Sequence, residues 1–191
     1  MKLPIVLASN SPRRRELLKQ VGIPFEVIPS NVSEDFDPIL PPHDVVQTLA
    51  GRKAESVAVL RTESLVIAAD TIVVLDGEIL GKPDSKDDAV RMLERLSGRT
   101  HLVITGVVLR CISQKVHEVL DVTTEVTFGD MSKQMVEKYV ATGEPMDKAG
   151  AYGAQGMGAM FIKSIKGSYS NVVGLPLFEV VSMLRRYGNI G

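Results

Sequence analysis

The chain has 191 residues, 45% of them hydrophobic, and its 22 Lys and Arg nearly balance its 23 Asp and Glu. This length allows one substantial core, and the near-neutral charge excludes the overall positive field on which a non-specific nucleic-acid binder depends. A single cysteine and three histidines exclude an internal disulfide and a Cys/His zinc site. The apolar run after Lys2 is too short for a signal peptide, and no apolar segment approaches the roughly 20 residues of a membrane span. We therefore expect one soluble, intracellular domain over residues 1–191.

The first part of the chain predicts short buried strands that alternate with helices. An apolar run forms the first strand, and Ser11 followed by Pro12 provides an N-cap and a first-turn proline for the helix that comes next. The predicted elements are a strand over 4–8, a helix over 12–21, a strand over 25–28, a Pro-rich loop over 29–42 and a helix over 44–60.

The rest of the chain adds hairpins to this pattern. Asp76 and Gly77 form a predicted hairpin turn inside a β-rich run, and Ser85 is the predicted N-cap of an amphipathic helix. The predicted elements are two strands within 65–80, a helix over 85–96, strands over 100–110 and 115–128, a helix over 132–142, a glycine-rich segment with strand-like runs over 143–175, and a helix over 176–187. Helices mixed with strands and hairpins predict an α/β fold with a mixed sheet.

Arg13 and Arg14 fall in the first turn of the first predicted helix. The helix macrodipole makes that end positive, so a cation there costs roughly 0.3–1 kcal/mol instead of stabilising the helix. Two interpretations stay open: a helix that tolerates exposed arginines, or a site where backbone N–H groups and guanidinium groups hold phosphate oxygens.

Asp70 lies within the apolar run LVIAADTIVVL. A carboxylate in a buried strand must be hydrogen-bonded, paired or bound to a metal, because an isolated charge is costly to desolvate. It is therefore either an aspartate satisfied by backbone donors or a catalytic or metal-binding carboxylate.

The remaining charged candidates are scattered over loops and helix faces, where a charged side chain is usually a surface residue. They are Glu34, Lys53, Lys82, Asp147 and Lys148. No phosphate-binding loop of the GxxxxGK[ST] type, no GxSxG elbow and no HExxH pair is present. Basic groups at a helix start together with isolated carboxylates suit metal-assisted attack of water on a phosphate ester or anhydride.

Five segments, in this order, resemble the Maf family of nucleoside triphosphate pyrophosphatases, and in particular its branch that acts on dTTP and UTP. They are SNSPRRRELL, ADTIVVLDGEILGKP, LSGRTHLVITGV, EPMDKAGAYGAQG and NVVGLP, which together extend over nearly the whole chain. The resemblance implies an elongated mixed β-sheet flanked by helices, with two lobes around a central cleft, similar to inosine triphosphate pyrophosphatases.

The resemblance also implies hydrolysis between the α and β phosphates, with a divalent cation such as Mg²⁺ or Mn²⁺. Asp70 matches the family's general base, and Glu34 matches an acid that assists metal binding together with Asp70. Family members often carry two adjacent acids where this chain has Ser33 and Glu34, so one candidate metal ligand is a serine here. The matching phosphate-binding residues are Arg14, Lys53 and Lys82, and those that select the base are Arg13, Thr71 and Gln155.

Two classes of function follow. The first is a cytoplasmic pyrophosphatase, a homodimer by resemblance, that clears non-standard or excess pyrimidine nucleotides and is associated with arrest of cell division. The second is a non-catalytic nucleotide-binding regulator of septation. Asp70 favours the enzyme, because a carboxylate among phosphates repels them unless a metal or a proton intervenes. Stable nucleic-acid binding is not expected, since no basic stripe is present and the chain has four Tyr, five Phe and no Trp.

Overall fold

Parallel strands joined by helices form the first part of the chain in the computed structural model, which describes residues 2–188. The first strand pairs in parallel with the second strand on one side and the third on the other, and it is buried along its whole length. This is the arrangement that apolar strands alternating with helices predict. The elements are β1 (Ile5–Leu7), α1 (Pro12–Gln20), β2 (Glu26–Val27), α2 (Pro42–Ala58) and β3 (Leu65–Leu75).

The predicted hairpin turn is confirmed. Asp76 and Gly77 both have positive φ, 52° and 84°, and they join β3 to an antiparallel partner, β4 (Glu78–Leu80). Positive φ at both central residues is the requirement of a type I′ turn, which Asp-Gly meets at low cost.

The remaining elements complete one mixed sheet of seven strands in the order β2-β1-β3-β5-β6-β7, with β4 paired to β3. The fold class predicted from the sequence, an α/β fold with a mixed sheet flanked by helices, is confirmed. The elements are α3 (Lys86–Leu96), β5 (Thr100–Cys111), β6 (Val116–Phe128), α4 (Lys133–Ala141), β7 (Ile162–Lys166), α5 (Tyr169–Val173) and α6 (Leu177–Arg186).

The glycine-rich segment differs from the prediction of strand-like runs. Only residues 162–166 form a strand, which pairs with β6, and three short 3-10 turns precede it. The sequence did not predict α5, which begins where the Ser168 hydroxyl accepts a hydrogen bond from the Asn171 N–H. A side-chain oxygen that accepts from an N–H three residues later is the usual N-terminal signal of a helix.

The chain divides into two compact units. The first unit comprises the described residues 2–70, 105–122 and 174–188, and the second comprises residues 71–104 and 123–173. In the first, small apolar residues of α2 pack on β1, β3 and β5. In the second, α3, α4 and the glycine-rich segment share one apolar core. No helix within residues 2–188 is long and apolar enough to cross a membrane.

His101 is buried in the second unit, with only 2% of its surface exposed. Its Nε2 atom lies 2.7 Å from the Tyr152 hydroxyl, and its ring packs edge-on against Phe128 and Tyr152. Within residues 2–188 its Nδ1 atom has no hydrogen-bond partner. Burial lowers the pKa of His101 from 6.5 to about 4, so the ring is neutral in the folded protein.

This buried imidazole makes stability depend on pH. Below pH 6.5 the unfolded chain binds a proton at His101, whereas the folded chain does not until about pH 4, so stability falls as the pH falls. Between pH 7 and pH 5 we expect this one group to remove about 2 kcal/mol from the free energy of unfolding. In urea unfolding, the free energy of unfolding of His101→Gln should fall by about 2 kcal/mol less than that of the wild type between pH 7 and pH 5. The exposed control His117→Gln should keep the pH dependence of the wild type. Equal pH dependence in all three proteins would contradict the assignment.

Candidate active site

The arginine turn is held by hydrogen bonds within the first unit. The Ser11 hydroxyl accepts from the Arg14 N–H at 3.4 Å, which confirms Ser11 as the N-cap of α1. The Arg14 side chain donates from Nε to the Gly174 carbonyl at 2.7 Å and from Nη1 to the Ser9 hydroxyl at 3.3 Å. These contacts fix the orientation of the guanidinium group and join two of the sequence segments, SNSPRRRELL and NVVGLP.

Charges converge around this turn. Burial lowers the pKa of Arg14, the Asp70 carboxylate opposes that change, and neighbouring Arg13 lowers the pKa further. Glu34 acts in the same direction as Asp70. Arginine nevertheless remains a cation in proteins, so two guanidinium groups and two carboxylates influence one another here.

Asp70 lies where β3 is buried on both faces, and 11% of its side chain is exposed. Its charge is compensated by Lys53 of α2, whose Nζ atom lies 2.6 Å from Asp70 Oδ1 and 2.6 Å from Glu34 Oε1. A charged residue on a helix face is usually exposed, so the sequence favoured a surface position for Lys53. In the structure only 8% of it is exposed. One ammonium group therefore bridges a buried carboxylate from a strand and a more exposed one from a loop.

The two carboxylates suit a hard divalent cation. One oxygen of each lies 2.6 Å from the Lys53 ammonium, so the two carboxylates lie close to each other. No group of three or more His, Cys, Asp and Glu close enough to hold a metal exists within residues 2–188. Glu34 and Asp70 would thus supply two ligands, and Mg²⁺ is commonly bound by one or two carboxylates together with water and substrate phosphates.

Ser33, which precedes the candidate metal ligand Glu34, makes local hydrogen bonds. Its hydroxyl donates to Asp35 Oδ2 at 2.6 Å and accepts from the Asp35 N–H at 3.0 Å. This small turn shapes the loop just before and after Glu34.

The structure brings five of the candidate residues together in the first unit: Arg13, Arg14, Glu34, Lys53 and Asp70. The other candidates belong to the second unit: Thr71, Lys82, Asp147, Lys148 and Gln155. Asp147 and Lys148 form an ion pair with each other at 2.6 Å. Thr71 follows Asp70 in β3 and is partly buried, Lys82 is exposed after β4, and Gln155 is partly buried in the glycine-rich segment.

Sequence reasoning missed Glu144. Its carboxylate accepts hydrogen bonds from the Tyr139 hydroxyl and from the N–H groups of Met157 and Gly158, just beyond Gln155. The only signal in the sequence is an acid that precedes a cluster of glycines, a pattern that is common in surface loops.

Comparison with known proteins places the chain among close relatives. A family described as "Maf-like protein" matches residues 4–187. The chain is 51% identical over 184 residues to the dTTP/UTP pyrophosphatase of Moorella thermoacetica, covering 96% of this chain and 95% of that protein. It is 48% identical over 184 residues to the dTTP/UTP pyrophosphatase of Pelotomaculum thermopropionicum, covering 96% of each. Among solved structures, a HAM1 protein from Coxiella burnetii aligns with 96% of this chain and 99% of its own at a TM-score of 0.50 and 14% identity, a likeness that extends to the fold alone.

Proposed function

The chain belongs to the Maf family, and from this premise we propose that it is a nucleoside triphosphate pyrophosphatase that hydrolyses dTTP and UTP to the monophosphate and pyrophosphate. The observation that carries the proposal is Asp70, buried in β3 and joined through Lys53 to Glu34 beside the arginine turn. Relatives about 50% identical over nearly their full length bear the name of this activity.

Asp70 is the proposed general base. Its carboxylate accepts a proton from water as the water oxygen attacks the α phosphorus, and the bond from that phosphorus to the bridging oxygen breaks to release pyrophosphate. The ion pair with Lys53 holds the carboxylate in one orientation at 2.6 Å. A positioned base of this kind contributes about 10²–10⁴-fold to a rate.

Positively charged side chains would stabilise the phosphates. Arg14 is held in place by Ser9 and Gly174, so its planar donors are already oriented for phosphate oxygens. We assign Lys53 and Lys82 the same electrostatic role. A divalent cation held by Glu34 and Asp70, Mg²⁺ or Mn²⁺, would supply further neutralisation of phosphate charge.

The site of attack can be tested with isotopically labelled water. Hydrolysis of UTP in H₂¹⁸O should place the label in UMP and leave pyrophosphate unlabelled, as mass spectrometry of the two products would show. Label found in pyrophosphate would mean attack at the β phosphorus and would contradict the proposed mechanism.

We assign selection of the substrate's nucleobase to Arg13, Thr71 and Gln155. The Gln155 amide offers both a donor and an acceptor, which can pair with a pyrimidine edge, whereas a carboxylate can only accept. We expect Gln155→Glu to lower kcat/KM for dTTP and UTP about 10- to 100-fold relative to other triphosphates, because a hydrogen-bonding group of the bound nucleobase left without its partner costs about 1–3 kcal/mol. The metal requirement should not change.

The matched control for this variant is Gln114→Glu, at an exposed position in the turn between β5 and β6. It should keep the wild-type preference among triphosphates. If Gln155→Glu slowed every triphosphate by one common factor, Gln155 would not select the base.

The proposal includes a cytoplasmic location, where nucleoside triphosphates are made and used, and a role in clearing the nucleotide pool. It also includes a homodimer and an association with arrest of cell division, both supported by the resemblance to the family. Absence of stable nucleic-acid binding is supported by the balance of 22 basic against 23 acidic residues.

A further inference from the structure

One carboxylate organises the loop that carries Gln155. Glu144 lies in the turn after α4, where its Oε1 accepts from the Gly158 N–H at 3.1 Å and from the Tyr139 hydroxyl at 3.0 Å. Its Oε2 accepts from the Met157 N–H at 3.0 Å. Three donors therefore converge on one side chain, and two of them are backbone groups of the segment that we call the Gln155 loop, residues 153–158.

The other end of the Gln155 loop is tied to the same cluster. The Tyr139 hydroxyl accepts from the Gly153 N–H at 3.4 Å while it donates to Glu144. Tyr139 is completely buried, and its ring packs edge-on against Phe161 at a centroid distance of 5.1 Å. The phenol group is thus fixed by the core, and through it the loop is fixed on both sides of Gln155.

Two glycines of the loop pack so closely against their neighbours that a side chain would not fit. A Cβ atom on Gly156 would lie 2.9 Å from a Glu144 carboxylate oxygen, and the φ of 100° there is one that side chains rarely allow. A Cβ atom on Gly158 would lie 2.6 Å from the Gly153 carbonyl oxygen. At Gly156 the backbone therefore lies directly against the carboxylate, with no room for an intervening side chain.

The charge of Glu144 is stabilised by these donors. Burial by itself would raise the pKa of Glu144. The N–H groups of Gly158 and Met157, the Tyr139 hydroxyl and the charge of Lys148 together outweigh it, so the pKa is lowered overall. At neutral pH the group is an anion that accepts from every donor facing it. A neutral amide at this position would have to direct its own NH₂ group toward one of these donors.

We propose that Glu144 is a positioning residue for base selection, which holds the Gln155 loop so that the Gln155 amide is presented to the base in one orientation. This inference rests on the proposed function and deepens it, because it assigns selectivity to a residue that does not itself contact the substrate. Small displacements of an oriented hydrogen-bonding group are enough to lose much of its effect.

The test compares Glu144→Gln with the wild type, each in the natural background and combined with Gln155→Ala. The preference is measured as the ratio of kcat/KM for UTP to kcat/KM for GTP. We expect Glu144→Gln to lower this ratio about tenfold in the natural background and not at all when Gln155 is absent. Such non-additivity identifies two residues that act as one device.

A second variant and a control guard against a general loss of folding. Tyr139→Phe keeps the ring and the carboxylate but removes the bridging hydroxyl, and it should lower the ratio by a smaller factor. Glu137→Gln removes an exposed carboxylate from the same helix and should leave the ratio unchanged. If Glu144→Gln lowered kcat/KM for every triphosphate equally in both backgrounds, its role would be structural only and the inference would be wrong.

A readout without turnover tests the anchoring itself. Hydrogen exchange at the Met157 and Gly158 amides, followed by NMR, should be at least tenfold faster in Glu144→Gln, and unchanged exchange would overturn the inference. Wild-type turnover is measured first: its absence would contradict the proposed function and the inference with it. If the wild-type protein turns over substrate and Glu144→Gln has the same preference for UTP over GTP, the inference is wrong and the proposed function stands.

Discussion

Replacement of Asp70 by asparagine should lower kcat for dTTP and UTP about a thousandfold while nucleotide binding is retained. The amide has the size of the carboxylate but cannot accept a proton from the attacking water, and loss of a positioned general base costs about 10²–10⁴-fold. Binding should persist because the change removes a negative charge from the neighbourhood of the phosphates. Steady-state pyrophosphate release gives the rate, and calorimetric titration with a non-hydrolysable UTP analogue gives the affinity.

The control for this variant is Asp87→Asn, which removes an exposed carboxylate in the first turn of α3. It should turn over substrate at the wild-type rate. Thermal unfolding of Asp70→Asn shows whether the variant is still folded when the buried Lys53 has Glu34 as its remaining carboxylate partner. Wild-type turnover by a folded Asp70→Asn protein would remove the base assignment.

Replacement of Lys53 by methionine should lower the free energy of unfolding by about 3 kcal/mol. Loss of one partner from a buried ion pair is costly because the other charge stays buried without compensation, and here only 11% of the Asp70 side chain is exposed. Methionine fills a similar volume, so the loss reports the missing ammonium group more than a cavity. Urea unfolding at neutral pH measures the change.

The double variant Lys53→Met with Asp70→Asn should recover part of that loss, since a neutral amide does not require a cation beside it. The control is Lys166→Met, at a surface pair with Glu125 in which 82% of the lysine side chain is exposed. That change should stay within about 0.5 kcal/mol. A Lys53→Met protein as stable as the wild type would mean that the bridge between Glu34 and Asp70 is not an important contact.

Local sequence signals predicted most elements of the fold. The N-caps Ser11, Ser85 and Ser132 each accept a hydrogen bond from the N–H three residues later, so the helices begin where short-range chemistry favours them. The turn at Asp76 and Gly77 was predicted because these residue types adopt positive φ at low cost, and both have positive φ in the structure. The glycine-rich segment was not predicted in detail. Its third 3-10 turn begins with Met157 and Gly158, whose N–H groups donate to Glu144, 13 and 14 residues earlier, and local propensity does not include such contacts.

The candidate site likewise combines features that neighbouring residues predict with features that depend on contacts far apart in the chain. The burial of Asp70 followed from the apolar residues on both sides of it, and it is confirmed. The burial of Lys53 could not be predicted from its neighbours, because it depends on carboxylates 17 and 19 residues away in the chain. The contact between Arg14 and Gly174 spans 160 residues and likewise has no local signal. The functional roles of all eight candidates stay predictions from the resemblance to the family: Arg13, Arg14, Glu34, Lys53, Asp70, Thr71, Lys82 and Gln155.

The central claim is tested most directly by pyrophosphate release from a panel of dTTP, UTP, CTP, dATP, dGTP, ITP and m7GTP, each with and without Mg²⁺ or Mn²⁺. We predict metal-dependent release that is fastest with dTTP and UTP. Fastest release from a triphosphate with another nucleobase would support the reaction but would contradict Arg13, Thr71 and Gln155 as the residues that select the nucleobase. No release from any triphosphate, with the protein folded and nucleotide bound, would contradict the enzyme and favour the non-catalytic regulator.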